Sequence, residues 1–105
     1  MDASRIAAHS EQLKRRRDEV MMTLQYLDKE RRAAEDNTDW LDQAAYESRI
    51  ALLDRLNDWY VNEIAQIDEA FIRIAENRFG FCQACHTPID PRRLEINPEA
   101  SFCTP

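Results

Sequence analysis

Glycine occurs once in the 105 residues, at Gly80, and the four prolines (Pro88, Pro91, Pro98 and Pro105) all lie beyond it. The first 79 residues therefore contain neither main helix breaker. No stretch approaches the roughly 18 apolar residues of a membrane span. The N-terminal MDASRIAAHS is acidic at its second residue and lacks the apolar core of a secretory signal. The chain is thus expected to stay in the cytoplasm, with no membrane partner. Basic residues are also in short supply, 14 against 20 acidic for a net charge of −6. That excludes a protein whose main task is gripping nucleic acid phosphates, which needs clustered excess Lys and Arg. A negative protein can still act beside nucleic acid if another protein holds it there. Cysteine appears three times, an odd count. Without a secretory signal, a metal or free thiols fit better than a disulfide framework.

The composition, 32% charged and 44% hydrophobic, is that of a folded chain rather than a disordered one. Residues 3 to 35 predict one helix, because Ile6, Leu13, Val20, Leu27 and Ala34 recur every seven residues, with Met21 and Leu24 widening the stripe. The run Lys14, Arg15, Arg16, Arg17 belongs to a solvated face. Asp36, Asn37, Thr38 and Asp39 then interrupt the pattern with residues that compete for backbone hydrogen bonds, so a tight turn is expected there. Residues 39 to 77 predict a second helix, with Tyr46, Leu53, Tyr60, Ile67 and Ile74 again every seven and Leu56 and Ala70 between them. Two such helices joined by a short turn must pack antiparallel to hide their stripes, and the period of 3.5 implies a left-handed supercoil. Ser10, Arg17 and Arg31 weaken the seam of the first helix. The expected fold is all-α: a coiled-coil hairpin over 1–77, tip near 36–44, then a small finger over 78–105. A heptad stripe reveals a hairpin and says nothing of what the hairpin does.

The tail cannot build a core alone, but it carries the cysteines. Cys82 and Cys85 form a C-x2-C pair directly after Gly80, and Cys103 follows. Two C-x2-C pairs about 15 to 20 residues apart are a structural zinc signature, because four thiolates close a tetrahedral site. The fourth thiolate of that pattern falls at position 106, past Pro105. Either the native chain continues, or the site is natively incomplete and its last position goes to water, a carboxylate or His86. His86 is ill-suited, being the immediate neighbour of Cys85. Residues 76 to 105 are nearly neutral and show no amphipathic recognition helix, so the finger reads as a brace for the hairpin rather than a reader of DNA.

These residues resemble the DksA/TraR family. The tail gives Phe79-Gly80-Phe81-Cys82-Gln83-Ala84-Cys85, then Ile89, Arg93-Leu94, Pro98, Ala100 and Cys103 in the order of the family's finger. The family's Asp-x-x-Asp-x-Ala tip motif is matched by Asp39-Trp40-Leu41-Asp42-Gln43-Ala44, at the turn already placed. The match covers nearly the whole chain. It implies a monomeric regulator without enzymatic activity that enters the secondary channel of RNA polymerase tip first. Asp39, Asp42 and Ala44 then alter open promoter complexes, and zinc sits on Cys82, Cys85 and Cys103. It implies no sequence-specific nucleic acid binding. Family members that cooperate with guanosine tetraphosphate carry basic residues on the second helix, where this chain has Trp59, Asn62 and Gln66, so nucleotide synergy is expected to be weak. The Gly that usually follows the second Cys is His86 here. Two other functions fit the bare pattern: a coiled-coil adaptor with a zinc-ribbon end, and a redox or metal sensor built on the three cysteines. No Lys or His beside the cysteines is placed to lower a thiol pKa.

Overall fold

The computed structural model describes residues 2–36 and 43–103. The described residues form three helices: α1, Ala3–Asp36; α2, Gln43–Ala75; and α3, Pro91–Ile96. Each long helix has an identifiable stop or start. Asp2 caps α1, its Oδ1 accepting from the Arg5 amide at 2.8 Å. At the end of α2, Asn77 takes a left-handed φ of 60°. The Arg78 amide then donates to the Arg73 carbonyl at 2.8 Å and the Asn77 amide to that of Ile74 at 3.3 Å. This pair of bonds is a Schellman cap, so α2 ends at Ala75 rather than at the expected residue 77. Asp36, expected to open the turn, is the last residue of α1; the rest of the expected turn, and the start of the second helix at 39, lie outside the described residues.

The packing falls into two compact units, Asp18–Ile64 and Met1–Arg17 with Ala65–Pro105, so the boundary cuts both long helices. In the first unit Val20, Leu27, Ala34 and Leu53 are buried, as their sevenfold spacing requires. Arg31 meets Asp54 and Arg49 meets Glu30 at 2.6 Å; these pairings run antiparallel. Met21 (39% exposed) and Leu56 (36%) do not join the buried stripe as expected. A two-helix pair covers a narrow strip of each partner, and both residues sit at its edge.

The second unit holds the main core. Leu13, Ile67 and Ala70 of the helices pack with Phe79, Cys82, Ile89, Leu94 and Ala100 of the tail, and Ile6, Phe71 and Ile74 lie against them. The tail borrows helix residues to close its core, as its few large apolar side chains demand. Arg17, a polar intruder in the seam, donates to Asp68 across the helices at 2.9 Å. The short α3 was not expected from the sequence. Asp90 caps it, accepting from the Arg92 amide at 2.9 Å, with Pro91 at the first helical position. Leu94, fully buried, pins it to the core. No named strand occurs among the described residues; one antiparallel bridge joins Phe81 to Pro88.

Candidate metal centre

The cysteine site is built on a tight backbone knuckle. Gly80 adopts a φ of 88°, open to it because it has no Cβ. The Ile89 amide donates to the Gly80 carbonyl at 2.8 Å, and the Cys82 amide to that of Thr87 at 2.8 Å. His86 closes the loop, its amide donating to the Cys82 carbonyl at 2.9 Å, with φ at 63°. A residue with a Cβ thus holds the left-handed position that the family pattern gives to Gly.

The loop turns amides toward sulfur. The Ala84 and Cys85 amides point at Cys82 Sγ from 3.4 and 3.5 Å. Cys82 is 1% exposed, whereas Cys85 and Cys103 are open to solvent. Cys103 arrives from the far end of the tail. The Gln83 amide donates to the Ser101 carbonyl at 2.8 Å, and Arg93 donates to the Phe102 carbonyl. Cys85 Sγ and Cys103 Sγ are 3.6 Å apart, and the ligand atoms of Cys82, Cys85 and Cys103 all lie within 4.8 Å of one another. Thiolates about 2.3 Å from a zinc ion at tetrahedral angles stand about 3.8 Å apart. The three sulfurs therefore fit three corners of such a site. His86 is not part of the cluster.

The Cys82 thiol is lowered to about 6, first by the backbone amide of Cys85 and then by that of Cys103, against the opposing effect of burial. As expected, no Lys or His takes part; the chief donors that lower it are main-chain N–H groups. Cys103 is pushed up, chiefly by its hydrogen bonds with Cys85 and Cys82. Thr87, whose Oγ1 is 2.9 Å from Cys85 Sγ, was not singled out in the sequence. Nor was His9, which is buried and sets its ring 5.6 Å from that of Phe79. His9 carried a readable signal, since it lies three residues after Ile6 and four before Leu13 on the apolar face of α1.

Of the expected tip residues, Asp39 and Asp42 lie outside the described residues, while Ala44 is exposed in the first turn of α2. Trp59, 71% exposed, and Asn62 and Gln66, also exposed, lie along the same helix. Among the described residues no helix is long and apolar enough to cross a membrane.

Residues 77–105 match the prokaryotic dksA/traR C4-type zinc finger. The solved structure of transcription factor DksA2 from Pseudomonas aeruginosa is similar to this chain with a TM-score of 0.90 and 30% identity, over 97% of this chain and 79% of that one. The chain belongs to the DksA/TraR family. Among curated members, the RNA polymerase-binding transcription factor DksA of Escherichia coli (strain K12) is 33% identical over 87 residues, 83% of this chain and 56% of that protein. The factor of the same name from Caulobacter vibrioides is 34% identical over 80 residues, 76% and 54% respectively. The chain spans about half the length of these DksA relatives. Family membership accounts for the joint presence of two long helices and a cysteine cluster at the C-terminal end.

Proposed function

We propose that this chain is a bacterial, cytoplasmic regulator that binds RNA polymerase and changes its handling of promoters without covalent chemistry of its own. The observation that carries the reading is structural: paired long helices and a cysteine finger occur in one chain, in an arrangement matching DksA2 across most of both proteins. On this reading the monomer enters the secondary channel with its 36–44 segment leading. Asp39, Asp42 and Ala44 then act near the active centre and shorten the life of the open complex. The effect is one of differential binding, since a factor shifts an equilibrium only as far as it prefers one polymerase state. The family's finger suggests zinc, and Cys82, Cys85 and Cys103 would hold it. Bound zinc would act as a structural cross-link between the knuckle and the Cys103 segment.

The test is in vitro transcription. Asp42→Asn is expected to retain polymerase binding and lose the effect on open complexes, with thermal stability changed by less than about 0.5 kcal/mol. A variant as active as the original would remove the tip from the mechanism. The same assay addresses guanosine tetraphosphate, which carries several negative charges and needs Lys or Arg to receive its phosphates. Trp59, Asn62 and Gln66 offer none, so the factor's titration curve is expected to move little when saturating nucleotide is added. A large leftward shift, beyond the nucleotide's own effect on polymerase, would contradict this.

A cysteine-based sensor is the second reading, favoured by the exposed Cys85 and Cys103 sulfurs only 3.6 Å apart. Mild oxidation should then remove two hydrogens from the intact mass and alter transcription reversibly with a thiol reductant.

A further inference from the structure

Where the end of α2 meets the finger, a cavity of about 290 Å³ opens beside Arg73 and Arg78. Arg73 is 4% exposed, and its guanidinium makes one long hydrogen bond, from Nη2 to the Glu99 carbonyl at 3.3 Å. A guanidinium has five N–H donors. Among the described residues the sole fully buried side-chain nitrogen or oxygen without a partner is His9 Nδ1. None of the remaining Arg73 nitrogens is thus both fully buried and without a partner, and Arg73 is among the residues that line this cavity. Burial holds the Arg73 guanidinium below its ordinary pKa, with Glu69 opposing and the nearby positive charge of Arg78 adding to the effect.

Arg78 is oriented rather than free. It pairs with Glu76 at 2.7 Å and donates to Gln83 Oε1, while Gln83 Nε2 donates back to the Phe81 carbonyl at 3.0 Å. Ser101 adds a hydroxyl to the lining, and Ile72 and Phe102 add apolar wall, each about half exposed at 51% and 52%. Glu69 is the one carboxylate in the lining. It acts on Arg73 electrostatically, and no ion pair joins the two among the described residues. Two arginines thus line a cleft whose walls are partly apolar, and the buried guanidinium of Arg73 makes a single long hydrogen bond.

We propose that this cavity is a binding site for a small organic oxyanion, a carboxylate or phosphate carried on an apolar body and held between Arg73 and Arg78. Planar guanidinium donors match the two oxygens of such a group, and the apolar walls receive its body. The volume of about 290 Å³ falls just below the roughly 300 to 1,000 Å³ of small-molecule clefts, which favours a compact ligand over a polymer. The proposal stands independently of the polymerase reading.

The test is amide chemical-shift mapping on the full zinc-loaded chain, with benzoate as probe, benzyl alcohol as its uncharged counterpart and inorganic phosphate as competitor. Benzoate is expected to shift the amides of Gln83, Ser101 and Phe102 saturably, phosphate to displace it, and benzyl alcohol to bind far more weakly. Arg78→Gln should weaken benzoate about tenfold or more, because a hydrogen bond to a charged group is lost. Arg73→Gln should abolish binding, and Arg78→Gln keeps the proposal testable if that buried change impairs folding. Benzyl alcohol binding as well as benzoate, Arg78→Gln binding unchanged, or shifts that spread over the surface without saturating would each overturn the assignment.

Discussion

At the scale of single residues, the centre depends on backbone conformation as much as on sulfur. His86 occupies the left-handed region with φ at 63°, where the Cβ of an L-residue crowds the following carbonyl at a cost of roughly 1–2 kcal/mol. Glycine does not bear that cost but is freer in the unfolded chain. His86→Gly is therefore expected to stabilise the zinc-loaded protein by about 0.5–1 kcal/mol net, read as a higher thermal midpoint. A lower midpoint would show that the imidazole contributes a contact larger than the backbone relief. Cys82, Cys85 and Cys103 were all legible in the sequence, because their spacing is a chemical signature. The His86 position was legible too, as a departure from the glycine of the pattern. Arg73 was not. In the sequence it is one charged residue on a helix face, and nothing there shows that it is buried with a hydrogen bond to the Glu99 carbonyl.

At the scale of elements, the helix α3 shows how a short segment is held by one side chain. Six residues are too few for an isolated helix to persist in water. Asp90 and Pro91 start it, and fully buried Leu94 anchors it beside Ile67 and Ile89. Leu94→Ala is expected to cost about 2–5 kcal/mol, the range for removing a buried leucine, in urea unfolding of the zinc-loaded chain. Ile96, two residues on, is 86% exposed, and Ile96→Ala should cost less than about 0.5 kcal/mol. Equal losses in the two variants would mean that α3 is not pinned by Leu94. The sevenfold stripes of α1 and α2 were readable because burial of one face imposes a period on the sequence. α3 offered no period to read. Its only signal was a cap followed by a proline.

At the scale of the molecule, the three candidate metal ligands all fall in one of the two units. The unit Asp18–Ile64 contains none of the three cysteines. The other contains all of them, and Cys82 sits within its core beside Leu13, Ile67 and Phe79. Zinc removal is therefore expected to loosen the finger without unfolding the long helices, unlike the collapse of an isolated zinc finger on chelation. Hydrogen exchange after chelation should show early loss of protection at the Cys82 and Ile89 amides, with α1 and α2 amides inside Asp18–Ile64 still protected. Loss of most helical circular dichroism would show that the metal supports the whole chain.

The sequence alone determined the helical class, the pairing of α1 with α2, the cysteine set and the family, since each rests on local spacing: a period of seven, a C-x2-C pair, a short motif. What closes the finger was decided only in three dimensions. Leu13 and Leu94 are 81 positions apart in the sequence yet share one core, and no periodicity links them. The amides that lower Cys82 come from Cys85 and Cys103, and main-chain N–H groups leave no mark on residue identity. The cavity at Arg73 likewise joins residues of α2 to Ser101 and Phe102, a long-range approach governed by which apolar side chains can be buried together.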